Sequence, residues 1–551
     1  MYSNRYFSNS ALQWFFVFLS LPVAVMAQVT VAVRTNNVSV LYADQSTSRQ
    51  GSINIQNQGS TWSGASSMRW TVNVATAGDY KFYILNTVGA GAEGLAMKVT
   101  SQSGASLNFP LHRTTGLPQG YERDTITGTL ALQTGSQWIE LGTAATPTGT
   151  VMGFRGLELY PAAAEAAITA DAARAKASRP STDFMLRAKY GTMFHWTTNS
   201  INQQGQKVPW QQMVSQFDMQ KFANMVVEMG VGYVLFTPAH AVRTFPAPLK
   251  MWEKYHPGMT TTRDLIMEMA DSLKARGIPL MLYFPPQFAW NSPVTADFNT
   301  ANREILTEIG ERYGKKVVGY WFDGLYQGAE KYPDFSFESL NQYCKAGNPD
   351  RVYCLNSWIY PSVTNWQDYW AGEVAGLVTM PTTRYFTNGP AVGLQSQLLV
   401  ILEPQWWMDQ LGRTPSYSAQ QMSNYAVSAI RNGVALTVNT MIYADGTILP
   451  ASLNVFRAMK AAVVNAQPIV NVAPSISFGK NLTITSGYRE LVIHGTGNYG
   501  EAVIYSMTGG KVKAFPLHHG ENVIPFGILP LAPGSHVIKV DKTLHKFLIP
   551  Q

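Results

Sequence analysis

The sequence predicts a multidomain chain in which a (β/α)8 barrel-like domain stands between an N-terminal and a C-terminal β-sandwich domain. Three observations carry this reading. Residues 28–161 and 468–551 are short β-rich runs between Gly, Ser, Asn and Thr clusters; residues 183–467 alternate apolar runs with amphipathic helical patterns; and an alanine-rich stretch, 162–182, separates the first two rhythms. The size agrees, because 551 residues make three or four domains at about 150 residues each. A 46% hydrophobic content with only two cysteines points to packed cores rather than disulfide or metal staples. Charged residues reach 14% and aromatic residues 12%, against a usual charged share of about 25%, which excludes disorder. The net charge of +7 is scattered, with Lys315-Lys316 the densest pair in the body. Without a basic stripe or helix, nucleic acid is not an expected partner.

Arg5 and the apolar run ALQWFFVFLSLPVAVMA (11–27) form a signal-peptide pattern with cleavage expected after Ala27. The competing reading, a membrane anchor, would need a longer apolar core. The mature protein is therefore expected to be secreted or periplasmic, with no stable membrane insertion. In such an oxidising compartment Cys344 and Cys354 are either a disulfide or two free buried thiols.

Within 28–161 the runs recur with the period-2 pattern of a sandwich. The stretch WTVNVATAGDYKFY (70–83) resembles the strand-turn-strand of carbohydrate-binding modules. That likeness implies sugar platforms at Trp62, Trp70 and Trp138, against the plainer reading of a sandwich that buttresses its neighbour. Residues 162–182 (PAAAEAAITADAARAKASRP at 161–180) are helical by propensity and read as a semi-rigid connector.

In 183–467 the apolar runs begin at Gly191, Val231, Leu280, Val317, Val352, Leu398 and Val434, with helices expected over 216–229, 262–276, 299–313 and 419–431. Buried strands alternating with helices over this length fit a (β/α)8 barrel. No Gly-x-Gly-x-x-Gly follows a strand, so a dinucleotide fold has no support. The tail (VIYSMTGGKVKAFPLHHGENVIPFGILPLAPGSHVIKV) resembles the C-terminal sandwiches of bacterial secreted glycosidases and type IX sorting domains. His518-His519 has no carboxylate or cysteine cluster beside it and reads as an exposed turn rather than a metal site.

A barrel carries its active site at the C-terminal ends of its strands. The polar residues that follow the apolar runs are His195 with Trp196, His240 with Arg243, Asp323, and Asn439. Asp323 stands against Trp321 and Phe322, where an unpaired buried charge would be costly. It is either exposed at the barrel mouth, held by partners, or a strand-end turn former.

Five segments then stand in register with a known family: AKYGTMFHW (188–196), FDMQKFANMVVEMGVGYVLFTPAH (217–240), TTRDLIMEMADSLKARGIPLMLYF (261–284), EILTEIGERYGKKVVGYWFDG (304–324) and IRNGVALTVNTMIYADGTI (430–448). They resemble the α-L-fucosidases of glycoside hydrolase family 29. The resemblance implies a retaining exo-glycosidase acting on an oligosaccharide or polysaccharide, with no metal or organic cofactor. It makes Asp323 the nucleophile of a W-F-D-G motif and gives sugar-hydroxyl contacts to His195, with Trp196 beside it, and to His240. Trp196, Trp321 and Trp290 would pack against the sugar. Asn365 to Glu373 resembles the family's D-Y-x-x-x-E segment, which makes Glu373 the acid/base, with Glu403 as runner-up. The sequence departs from the family at the second strand, where His-His-Asp-Gly-Phe is replaced by His240-Ala241-Val242-Arg243-Thr244-Phe245. Arg243 either substitutes for a lost contact, reads an acidic or sulfated sugar, or is an ordinary loop cation. The loss opens two alternatives: the same chemistry on another fucose-configured sugar such as α-L-galactose, or a non-catalytic carbohydrate-binding protein.

Overall fold

The computed structural model describes residues 29–56, 59–114, 121–240, 242–284, 297–324, 336–356, 364–386 and 393–466. In the C-terminal region it describes 476–477, 482–486, 490–495, 501–506, 510–517, 520–525, 534–540 and 543–549. The expected signal peptide, Trp290, Ala241 and His518-His519 lie outside these residues.

Ten strands between Thr30 and Pro161 pair into one network. Its spine is Gly59–Val74, which pairs antiparallel with Ser48–Gln56, Gly135–Thr143 and Thr150–Pro161 and parallel with Thr30–Val33. Met68, Trp70, Val72 and Val74 alternate along it and are fully buried, as a strand with one face on a core requires. The ladder shifts register between Gln50 and Ser52. Gly51 sits there at φ +77°, and a Cβ on it would lie 2.2 Å from the Ala65 carbonyl oxygen. Only glycine allows that bulge.

Trp62 and Trp70 correct the expectation of sugar platforms. Trp62 and Trp70 are fully buried against Phe154, with their indole N–H groups donating to Ser60 Oγ and the Tyr42 carbonyl. Trp138 carries the Arg69 guanidinium 4.1 Å over its ring. The first two are core and the third is covered on one face.

The connector is also more than a spacer. Helix Glu165–Ala177 buries Ala175 in the main core of the barrel domain. Asp171 accepts the Trp366 indole N–H at 3.1 Å, Arg174 pairs with Glu338, and Lys81 of the sandwich pairs with Glu165. The helix thus docks beside the fifth and sixth barrel strands.

The barrel is a parallel eight-stranded sheet of Gly191–Phe194, Val234–Phe236, Leu280–Phe284, Val317–Phe322, Val352–Leu355, Glu373–Ala375, Gln397–Ile401 and Ala435–Thr440. The eighth strand pairs with the first. The fifth and sixth strands have no ladder between them. Asp368 closes that seam: its N–H donates to the Tyr353 carbonyl, while its buried carboxylate accepts from the Tyr353 N–H and pairs with Lys345.

Met193, Leu235, Met281, Trp321, Cys354 and Leu399 fill the interior, so the barrel is a packed core rather than a pore. Around it, the helix expected over 216–229 is Met219–Met229, and a separate short helix, Trp210–Gln216, precedes it. The break occurs at Asp218, whose side chain caps the second helix by accepting from Lys221 N–H. That helix turns Phe222, Val226 and Met229 onto the sheet, and each such burial is worth ~1.5–3 kcal/mol relative to exposure. Cys344 and Cys354 are free and buried.

The C-terminal region forms two four-stranded antiparallel sheets. Leu491, Ile493, Ala502, Ile504, Ile524, Ile538 and Val540 make their shared core.

Candidate active site

Side chains along a strand alternate between faces, so each barrel strand sends one set inward and the next outward to the helices. Inward at the C-terminal ends stand His195, Tyr283, Asp323, Asn356, Glu373 and Asn439. Asp323 continues the fourth strand, its N–H donating to the Phe284 carbonyl at 3.0 Å. Its Oδ2 accepts from the Tyr283 hydroxyl at 2.6 Å, and its Oδ1 accepts from Asn356 Nδ2 at 2.8 Å and from Gly324 N–H at 2.8 Å.

Asn356 Nδ2 also donates to Glu373 Oε2, at 2.5 Å. One nitrogen therefore touches both carboxylates, and by the sum of those two bonds Asp323 Oδ1 and Glu373 Oε2 are at most 5.3 Å apart. Burial, and then the charge of Asp323, push the Glu373 carboxyl up to about 8, while the Asn356 bond pulls the other way. A fixed backbone presents Glu373. Gly372 before it has φ +62°, and a Cβ there would lie 2.1 Å from the Gln397 carbonyl oxygen.

The two histidines form the opposite wall. Their ring centroids are 5.5 Å apart, His240 stacks on Tyr283, and Trp406 and Trp407 pack against His195 and His240. Burial, reinforced by His240, pushes His195 down to about 3, and burial lowers His240 against the pull of Asp323. Both rings are neutral. Asn439 Nδ2 donates to the Trp406 carbonyl at 3.0 Å, so its Oδ1 faces His195 Nδ1 at 3.1 Å. This assigns the proton to Nδ1 and leaves Nε2 as an acceptor. Among the described residues no group of three His, Cys, Asp or Glu side chains gathers to hold a metal.

Two expected substrate contacts, Trp196 and Trp321, are corrected. Trp196 is the outward neighbour of His195; its indole is fully buried, packs on Trp210, Phe217 and Phe236, and donates to the Ala444 carbonyl. Trp321 lies two residues below Asp323 on the same face. It is stacked under Tyr283, with its N–H on the Ala371 carbonyl, and is 2% exposed, which leaves no face for a sugar. A third expected contact, Arg243, lies near His256: its charge adds to burial in pushing His256 down to about 4, and its backbone carbonyl accepts the Trp252 indole N–H.

The runner-up carboxylate, Glu403, is fully buried and accepts from Thr440 Oγ1, Met441 N–H and Ser452 Oγ, a different set of donors from the Tyr283, Asn356 and Gly324 groups at Asp323. Sequence alone does not single out Tyr283 and Asn356, although each stands at the end of an apolar run.

Residues 211–461 match the family model described as Alpha-L-fucosidase. That span includes His240, Asp323, Asn356 and Glu373 and begins after His195. No curated protein matches the chain. Among solved structures, an alpha-L-fucosidase of glycoside hydrolase family 29 from Bacteroides thetaiotaomicron is similar at 17% identity and TM-score 0.40, over 67% of this chain and 96% of that one. Alpha-L-fucosidase isoenzyme 1 from Paenibacillus thiaminolyticus is similar at 16% identity and TM-score 0.40, over 62% of this chain and 91% of its own. An endo-fucoidan hydrolase of glycoside hydrolase family 107 gives 13% identity and TM-score 0.43, over 67% of this chain and 82% of its own. The assignment rests on the family match and not on these distant likenesses. The barrel of this chain thus carries, at residues 211–461, a match to the alpha-L-fucosidase family, glycoside hydrolase family 29, and the chain is a glycoside hydrolase.

Proposed function

We propose that the protein is an exported retaining exo-glycosidase that removes terminal α-L-fucosyl residues from glycans. The observation that carries this is the pair Asp323 and Glu373, bridged by one amide nitrogen. Retaining enzymes hold their two carboxyl groups about 5–5.5 Å apart, inverting ones about 6.5–9.5 Å. Asp323 attacks the anomeric carbon while Glu373, held protonated, gives its proton to the leaving oxygen. The C–O bond breaks and an ester to Asp323 forms; Glu373, now ionised, takes a proton from water, which displaces Asp323 and restores both groups. Neutral His195 and His240 bond ring hydroxyls, and the half-buried Trp406 and Trp407 offer apolar surface beside them.

Hydrolysis of an aryl α-L-fucoside tests this. Asp323→Asn is expected to lose at least ~10³-fold in kcat. Glu373→Ala is expected to regain turnover in azide with formation of the α-fucosyl azide, because azide then opens the ester on Asp323. Formation of the β-azide by the Glu373 variant, or full activity of Asp323→Asn, would contradict the assignment. Since Glu373 must carry its proton to act, activity is expected on the acid side and to be lost as pH rises through about 8.

The changed second-strand loop supports one further reading. The small pocket beside His240 is lined by Thr197, Thr198, Asn199 and Thr244 together with Trp196, Pro238, Ala239 and Val242, and its hydroxyl and amide groups suit a sugar with an added hydroxyl such as α-L-galactose. A higher kcat/KM on the aryl α-L-galactoside than on the fucoside would establish it. Export is part of the proposal: the mature N-terminus, read by intact mass, is expected at Gln28.

A further inference from the structure

We propose that Asn356 is a positioning residue for this reaction, its side-chain nitrogen setting the spacing of Asp323 and Glu373 and serving whichever of the two is charged. This rests on the two-carboxylate reading above and adds a third residue to it. An amide nitrogen has two hydrogens, and here one goes to Asp323 Oδ1 and the other to Glu373 Oε2. Asn356 is fully buried, and its backbone N–H donates to the Phe322 carbonyl at 2.7 Å. The amide therefore has a fixed origin and no room to withdraw.

The chemistry of an amide suits the place. Before attack Asp323 is the charged acceptor; once Asp323 is an ester, Glu373 is. Hydrogen bonds to charged acceptors are the stronger ones, so a donor bonded to both carboxylates follows the charge without moving. A lysine or arginine there would hold Glu373 ionised and unable to protonate the leaving group. An aspartate would add a third negative charge. Among the described residues, the other titratable groups facing the pair include Tyr283, which donates to Asp323, and His240 and Cys354, which feel the Asp323 charge; the charge acting on Glu373 is that of Asp323.

The test compares wild type with Asn356→Ala and Asn356→Ser by two readouts. One is the pH profile of kcat/KM on an aryl α-L-fucoside. The other is the infrared carboxyl band of Glu373, assigned by its loss in Glu373→Gln and independent of turnover. Removing the donor is expected to lower kcat about 100-fold and to move the Glu373 midpoint up by about one pH unit. The serine variant, whose short hydroxyl can serve only one carboxylate, is expected to shift in the same direction and decides the matter should the alanine variant not fold. A folded variant with an unchanged midpoint and profile would overturn the proposal, whatever its stability. A shifted midpoint in a protein without turnover would keep Asn356 in its role and remove the fucosidase reading instead.

Discussion

At His195 one hydrogen bond decides what the imidazole offers a sugar. Asn439, fixed by the Trp406 carbonyl, presents an oxygen and so leaves Nε2 with its lone pair. Asn439→Asp puts a charge where that oxygen stands, and a buried imidazole beside a carboxylate takes up a proton. It then has no lone pair for a hydroxyl, and kcat/KM is expected to fall about 10–100-fold; a variant with wild-type kinetics would show that this tautomer is irrelevant. The same strand shows what was legible at this scale. His195 and Trp196 both follow an apolar run, and both were expected to meet the sugar, but adjacent strand residues face opposite ways. Only the structure shows that the tryptophan faces the helices.

Strand ends supply the site, and here the sequence was most informative where a carboxylate follows an apolar run. Asp323 stands out for that reason, and Glu373 because of its local motif. Asn356 does not, since an asparagine after a strand looks like an ordinary turn former. Glu403 satisfies the same rule as Asp323 yet is bonded to the eighth strand and the final barrel helix by Thr440, Met441 and Ser452. Its carboxyl is raised by burial to about 7. A carboxyl raised on folding stabilises below its unfolded value near 4.5, and that stabilisation is lost as pH rises through about 7. Glu403→Gln is expected to keep activity within a few-fold and to flatten the dependence of thermal stability on pH across that window. Loss of activity with stability unchanged would restore Glu403 as a candidate acid.

On the scale of the whole chain, the alternation of apolar runs and helices revealed the barrel and the period-2 runs revealed the β-rich ends. The connector's helix is legible from its alanine content but its docking is not, because an alanine-rich helix has no apolar stripe to announce which surface it covers. Its contacts at Ala175, Asp171 and Arg174 make it part of the barrel. A protein beginning at Ala162 is therefore expected to fold and act on an aryl glycoside, whereas one beginning at Asp183 exposes the seam near Trp366 and is expected to aggregate or lose activity. Equal activity of the two would show that the helix is only a tether. The central claim, that Asp323 forms a covalent bond to the sugar, is tested most directly by incubation with 2-deoxy-2-fluoro-α-L-fucosyl fluoride followed by peptide mass spectrometry. A single fluorofucosyl adduct on the peptide carrying Asp323, absent from Asp323→Asn, is the expected result. Turnover without an adduct, or an adduct on another carboxylate, would contradict the account.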